Sequence, residues 1–287
     1  MRSLAGRQGG RGRMPKDVVE LADGSRLAVW RSGVEGGAPV LLLPGMSQDH
    51  RLYDVLVAEL AARGVLEGDV ETIAIDQRGT GDSDDMDRRD PPTTGSFADD
   101  AAWVLERLGV GRAHVVGHSM GGRIAQWLAI RHPERVASLT LLCTSPGDRH
   151  GVPRADDVDA TIARCDPMEM ALLSYTPAWL GAHHELAESA DAATTTRSAQ
   201  RGLHYRASHG HDAWDSLPRI AAPTVVVHGD ADRVNPLGNG ELLARRIPGA
   251  ELVVLRGARH GLPVEHAAEI ADVVLRRVAP RRSAQRR

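Results

Sequence analysis

The stretch that most constrains this chain is residues 115–122, Val-Val-Gly-His-Ser-Met-Gly-Gly. An apolar run that reads as a short buried strand leads up to it, and an amphipathic pattern with Ile124, Trp127 and Leu128 follows as a helix. Between them Ser119 stands in G-x-S-x-G spacing, flanked by Gly117 and Gly121. A serine hydroxyl is a weak nucleophile and needs presentation as well as activation. A sharp strand-to-helix turn supplies the presentation by lifting the hydroxyl clear of its own backbone. The glycines suit such a turn because a side chain at either position would crowd it. The opening of the helix behind Ser119 also offers free N–H groups to a developing negative charge.

The rest of the pattern builds layers around this turn. Strands are expected at 17–21, 26–31, 39–44, 71–76, 113–117, 137–143, 223–228 and 250–255, and helices at 50–63, 96–108, 121–132, 236–246 and 264–278. Asp23-Gly24 is a natural hairpin turn between the first two strands. A hairpin followed by strands alternating with helices predicts an α/β fold, a mostly parallel eight-stranded sheet flanked by helices. Residues 147–221 break the alternation and are too long for a bare connection. Within them Met168, Leu172, Tyr175 and Trp179 fall at helical spacing, with Pro177 kinking or ending the helix. The interval is expected to be a helical cap inserted after strand 6, its stripe packed onto the core. Tyr175 and Trp179 are candidate lining of a substrate pocket. The expected organisation is a disordered Arg/Gly-rich leader over 1–15, in which Met14 could be the true start, a core of 16–146 and 222–279, the cap of 147–221, and a disordered tail over 280–287.

A serine nucleophile needs a base, and the base needs a carboxylate to orient it. His260 follows the last strand and precedes the last helix, which makes it the candidate base. Asp230 and Asp232 follow the preceding strand and compete for the role of acid. All three positions lie just past the carboxyl end of an expected strand, the edge of a parallel sheet where ligand crevices form. His118, beside the serine, should point away from the hydroxyl and be structural. Arg78 is expected to brace a loop through an ion pair.

Pro44-Gly45-Met46, Asp76-Gln77-Arg78-Gly79-Thr80-Gly81, Gly117-His118-Ser119-Met120-Gly121-Gly122, Gly229-Asp230-Ala231-Asp232 and Arg259-His260-Gly261 occur in one order along residues 17–279. In these segments the chain resembles the serine branch of the α/β-hydrolase superfamily. Within it the chain is most similar to 3-oxoadipate enol-lactonases and anthracycline (aclacinomycin) methylesterases. The resemblance implies the α/β-hydrolase fold and a catalytic set of Ser119, Asp232 and His260, because the family's acid stands three residues past the strand-ending glycine. It implies an oxyanion hole formed by the backbone N–H groups of Met46 and Met120. The loop before Met46 often reads His-Gly in the family and here reads Pro44-Gly45; the donor there is a backbone N–H, so loss of the histidine need not remove the hole, but it weakens any argument about what supports the loop.

Composition bounds the partners. A net charge of −3 over 287 residues gives no general attraction to nucleic acid or anionic membranes. Two cysteines, Cys143 and Cys165, make no disulfide framework and suit a reducing cytoplasm, the expected location. No stretch approaches the ~18 apolar residues of a membrane helix. His183-His184 and His209-Gly210-His211 lack matching ligands at metal-site spacing, and no P-loop or G-x-G-x-x-G follows a strand. No metal or cofactor is expected. The expected activity is cleavage of a small carboxylic ester or lactone through an acyl-enzyme, by a monomer or homodimer. Carbon–carbon bond hydrolysis or cofactor-free peracid formation on the same three residues stays open, as does a non-catalytic ligand-binding role.

Overall fold

A computed structural model describes residues 15–67, 70–164, 166–183 and 198–278. The leader up to residue 14, Cys165, His184 and the tail lie outside the described residues. In chain order the elements are β1 (Lys16–Glu20), β2 (Arg26–Gly33), β3 (Ala38–Leu43), α1 (Asp54–Glu67), β4 (Val70–Ile75), α2 (Thr94–Arg107), β5 (Ala113–His118), α3 (Met120–Arg131) and β6 (Val136–Leu142). There follow α4 (Asp156–Arg164), α5 (Pro167–Ser174), α6 (Pro177–Ala182), α7 (Ser198–His209), β7 (Thr224–Gly229), α8 (Gly238–Arg246), β8 (Glu251–Leu255), α9 (Leu262–Glu265) and α10 (Ala267–Val278). The eight strands form one sheet in the order β1-β2-β4-β3-β5-β6-β7-β8. β1 and β4 run antiparallel to β2, and every other pairing is parallel. This is the α/β-hydrolase arrangement that the sequence implies, with each strand within two residues of its expected bounds.

The apolar runs read as buried strands because helices cover both faces of the sheet. Successive side chains alternate between the two sides. Leu41 and Val115 join Phe97, Leu105, Ile124 and Leu128 on one face. Leu42 and Val116 join Leu56, Leu60, Ile270 and Val274 on the other. β8, at the sheet edge, exposes Glu251 and Val254 instead. The first turn is the expected one: Gly24 takes φ 84° and Asp23 accepts the Ser25 N–H at 2.9 Å.

Because β3, β5, β6, β7 and β8 are parallel, the segments after them gather along one edge. The inserted helices α4 to α7 leave from this edge after β6 and return before β7. Their two ends are stitched together by a bridge between Gly147 and Asp212 and by the Ala213 N–H on Pro146 O. The stripe expected to pack the cap inward divides. Tyr175 is buried and Trp179 partly so, but Met168 is 65 % and Leu172 37 % exposed. The reason is local: α5 ends at Ser174 and Pro177 opens a new helix, so the four residues do not share one helical face. Among the described residues no helix is long and apolar enough to cross a membrane.

Candidate active site

Ser119 follows the last residue of β5 and stands at the N-cap position of α3 with φ 54° and ψ −117°, a left-handed conformation that a residue with a side chain rarely adopts. The surroundings enforce it. A Cβ on Gly117 would lie 2.4 Å from Gly121 O, and one on Gly121 only 1.9 Å from Leu43 O. The turn is held by Ser119 N–H on Leu142 O at 2.9 Å and by the Thr144 hydroxyl on Ser119 O at 2.7 Å.

His260 and Asp232 meet at the ends of β8 and β7. His260 Nδ1 lies 2.8 Å from Asp232 Oδ2, and both residues are buried. A carboxylate can only accept, so Nδ1 carries the proton, and in the neutral ring the lone pair lies on Nε2. The other oxygen of Asp232 accepts from the backbone N–H groups of Val234 at 2.8 Å and Asn235 at 2.9 Å. Burial pushes the Asp232 carboxyl up, but the His260 imidazole and its hydrogen bond, with help from His228, hold it below the usual carboxylate range. Asp230 points elsewhere, accepting the Gly257 N–H at 2.6 Å and tightening the turn after β8.

Three neighbours belong to this cluster that sequence reasoning set aside or passed over. His118 is buried, with its ring 4.8 Å from that of His260, and its Nε2 donates to His260 O at 2.9 Å. Burial, reinforced by His260, lowers its pKa to about 3 and keeps it neutral. Its Nδ1 has no hydrogen-bond partner among the described residues and would lie 3.1 Å from a Cβ on Gly45. His228 Nε2 donates to Asn235 O at 2.7 Å and lies 3.6 Å from Asp232 Oδ2. Cys143, with φ 46°, tucks its thiol beneath the pair, and burial raises the thiol pKa well above its usual value.

The loop after β3 brings Met46 to the same edge. Met46 is partly buried and Met120 fully so. Among the described residues no hydrogen bond takes up the backbone N–H of either. The support that a His-Gly loop would have supplied comes from two sides. Asp76, buried, accepts from His50 N at 2.8 Å, Trp30 Nε1 at 3.0 Å and Asp82 N at 3.1 Å. His204, on α7, accepts the Ser47 N–H at 3.2 Å while its Nε2 donates to Arg78 O at 2.7 Å. No pattern in the sequence links His204 to Ser47. Arg78 braces its loop, with Nε 2.6 Å from Asp100 Oδ2 and Nη1 2.6 Å from Asp23 Oδ2.

Among the described residues no hydrogen bond joins the Ser119 hydroxyl to His260. Such contacts often tighten only when substrate is bound. A cavity of about 550 Å³ opens between α4, α7 and the loops after β6 and β7, lined by Arg123, Arg154, Asp148, Tyr205, His209 and Asn235 among others. Ser119, Asp232, His260, Tyr175 and Trp179 are not among its lining residues. Two clusters bring three metal-ligating atoms within 4.8 Å of one another: Cys143, Asp232 and His260, and Asp49, His50 and Asp76. Asp232 and Asp76 in these clusters are already committed to the hydrogen bonds above. His209 and His211 diverge, the first toward Tyr205 O and the second between Thr94 and Gln126.

The α/beta hydrolase fold family model matches residues 38–167. A protein of Caulobacter sp. (strain K31) that bears the name carbamate hydrolase is 30% identical over 210 residues, covering 67% of this chain and 74% of its own. The poly(3-hydroxyalkanoate) depolymerase of Ectopseudomonas oleovorans is 29% identical over 265 residues, 90% of each chain. A thermophilic esterase from Thermogutta terrifontis superposes with a TM-score of 0.73 at 25% identity, over 93% of this chain and 100% of its own. Fold, motif order and relatives agree, and the chain belongs to the α/β-hydrolase family.

Proposed function

We propose that the protein is a serine hydrolase that cleaves a small carboxylic ester or lactone through an acyl-enzyme. The observation that carries this reading is the buried Asp232–His260 pair, its proton on Nδ1, on the same sheet edge as a serine held in a strained turn. Strain of this kind costs about 1–3 kcal/mol and persists where the surroundings over-determine it, commonly at active sites.

Ser119 Oγ attacks the carbonyl carbon while His260 Nε2 takes its proton. The N–H groups of Met46 and Met120 receive the oxygen as it becomes anionic, each such donor being worth about 2.7–4 kcal/mol in the transition state. The Asp232 carboxylate balances the imidazolium. His260 then protonates the departing alkoxide. In the second half it deprotonates a water, which attacks the acyl carbon and releases the acid and Ser119. A lactone follows the same steps, with the alcohol still tethered to the acyl group. Relatives bearing the names poly(3-hydroxyalkanoate) depolymerase and esterase support this substrate class. Trp179, partly buried on the inserted α6, is the proposed selectivity contact. Tyr175, wholly buried beneath it, serves the packing of the cap.

The test is a fluorophosphonate probe. Wild-type protein should be labelled at Ser119, and Ser119→Ala should lose both labelling and ester turnover. Turnover that persists in Ser119→Ala would overturn the mechanism. Labelling without turnover across methyl esters, lactones and short acyl esters would favour a ligand-binding role instead.

A further inference from the structure

The last four carbonyls of an α-helix have no partner within the helix and must find one elsewhere. In α5 all four are accounted for. Ala171 O accepts the N–H of Tyr175 at 2.7 Å. The other three are taken by consecutive residues of the loop after β8. The Arg259 guanidinium donates to Leu172 O, and also to Tyr175 O at 3.2 Å. His260 N–H donates to Leu173 O at 3.4 Å, and Gly261 N–H to Ser174 O at 2.7 Å. The loop that carries the candidate base is therefore the C-terminal cap of an inserted helix.

Contacts on either side extend the junction. The Tyr175 ring packs so closely over Gly261 that a Cβ there would lie 2.3 Å from its Cε1. One residue further, the N–H of Thr176 donates to Glu265 Oε2 at 2.9 Å, and its hydroxyl donates to the other oxygen of the same carboxylate. A cation at the end of a helix is also favoured by the helix dipole. The Arg259 guanidinium joins Leu172 O and Tyr175 O, before and after the helix end. It does so immediately before His260, whose own N–H shares the junction.

We propose that Arg259 is a positioning residue for His260, acting through the end of α5, so that the inserted helices and the base are held as one hydrogen-bonded unit. The proposal rests on the reading of His260 as the base. Removing the guanidinium takes a donor from Leu172 O and from Tyr175 O, loosens the end of α5 and lets the 259–261 loop shift. A displacement of the base costs turnover rather than substrate affinity, because it acts on the proton transfer.

The experiment compares Arg259→Ala, Arg259→Lys and wild type with p-nitrophenyl acetate. It also records the low-field proton resonance of the His260–Asp232 hydrogen bond and the exchange of the Gly261 amide. Arg259→Ala should lower kcat by about 10- to 100-fold, the scale expected of a misplaced catalytic group, with KM changed less than about twofold. The low-field proton and the Gly261 amide should exchange faster. Lysine can donate to one of the two carbonyls, so Arg259→Lys should fall between, and it carries the test should the alanine variant not fold. An unchanged kcat, or a rise in KM alone, overturns the proposal. Should Ser119→Ala still turn over the ester, the serine mechanism fails by itself. The low-field proton and the Gly261 amide then decide the positioning role: faster exchange supports it and wild-type exchange refutes it.

Discussion

At the scale of single residues, the choice between Asp230 and Asp232 turns on where the chain bends after Gly229. Two residues apart on a straight strand they would share a face. The turn separates them, sending Asp230 to the Gly257 N–H and Asp232 inward to His260. Asp232→Asn would set an amide N–H against Nδ1, forcing the proton onto Nε2 and disabling the base. By analogy with serine proteases kcat should fall by about 10⁴ at neutral pH. In Asp230→Asn the amide oxygen can still accept the Gly257 N–H, and the cost should stay within about 0.5 kcal/mol of stability. Steady-state kinetics of the two variants, with thermal melts to confirm folding, separates them. A dead Asp230→Asn beside a near-normal Asp232→Asn would reassign the acid. Spacing alone left this choice open, and the family pattern pointed to Asp232. The sequence put His118 in a structural role, but its partner was not readable, because that partner is a backbone carbonyl 142 positions away.

Among elements, the strands and core helices were legible because burial on both faces leaves continuous apolar runs, and burial on one face leaves a 3.6-residue period. The inserted helices were less so. They are short, they break at Pro177, and they leave Met168 and Leu172 exposed, so their pattern does not report which way they face. The nucleophile turn shows how tightly two elements can be tied. A Cβ on Gly121 would meet not only Leu43 O but also Leu43 C at 2.5 Å, and both belong to the backbone of β3 in mid-sheet. That strand is paired on both edges and cannot yield, so α3 would have to retreat and carry the Met120 N–H with it. Gly121→Ala should therefore cost about 1–3 kcal/mol or more and slow fluorophosphonate labelling sharply. Gly111→Ala, where no atom lies within 4 Å of the added Cβ, is the control and should change neither. Urea melts and labelling rates read both effects. A Gly121→Ala variant as stable and as reactive as wild type would show that the turn is not close-packed.

Across the whole molecule, the unusual load is buried imidazole. His118, His204, His211 and His228 are each buried on a different contact, and burial lowers the pKa of each, that of His118 to about 3 from an ordinary 6.5. In the unfolded chain these rings bind a proton as the pH falls below about 6.5, while in the folded protein they stay neutral. The unfolded state therefore binds more protons, and stability rises with pH through this window. Read downward, the folded state is at full strength above about pH 6.5 and weakens toward the lower folded values. Asp232 acts in the same direction at lower pH, since a depressed carboxyl stabilises the fold above its ordinary pKa and loses that contribution as the pH falls through the folded one. Each histidine contributes a slope of about 1.4 kcal/mol per pH unit. Several together would exhaust a typical stability of about 5–15 kcal/mol within a few pH units. The protein should thus unfold in mild acid, before most of its carboxylates are protonated. Urea unfolding at pH 8, 7, 6 and 5 measures the slope, which should correspond to more than one proton taken up on unfolding below pH 6.5. His211→Gln, which retains hydrogen-bonding groups between Thr94 and Gln126, should reduce that uptake by about one proton. A stability that stays flat from pH 8 to pH 5 would mean that these rings are not held neutral by the fold.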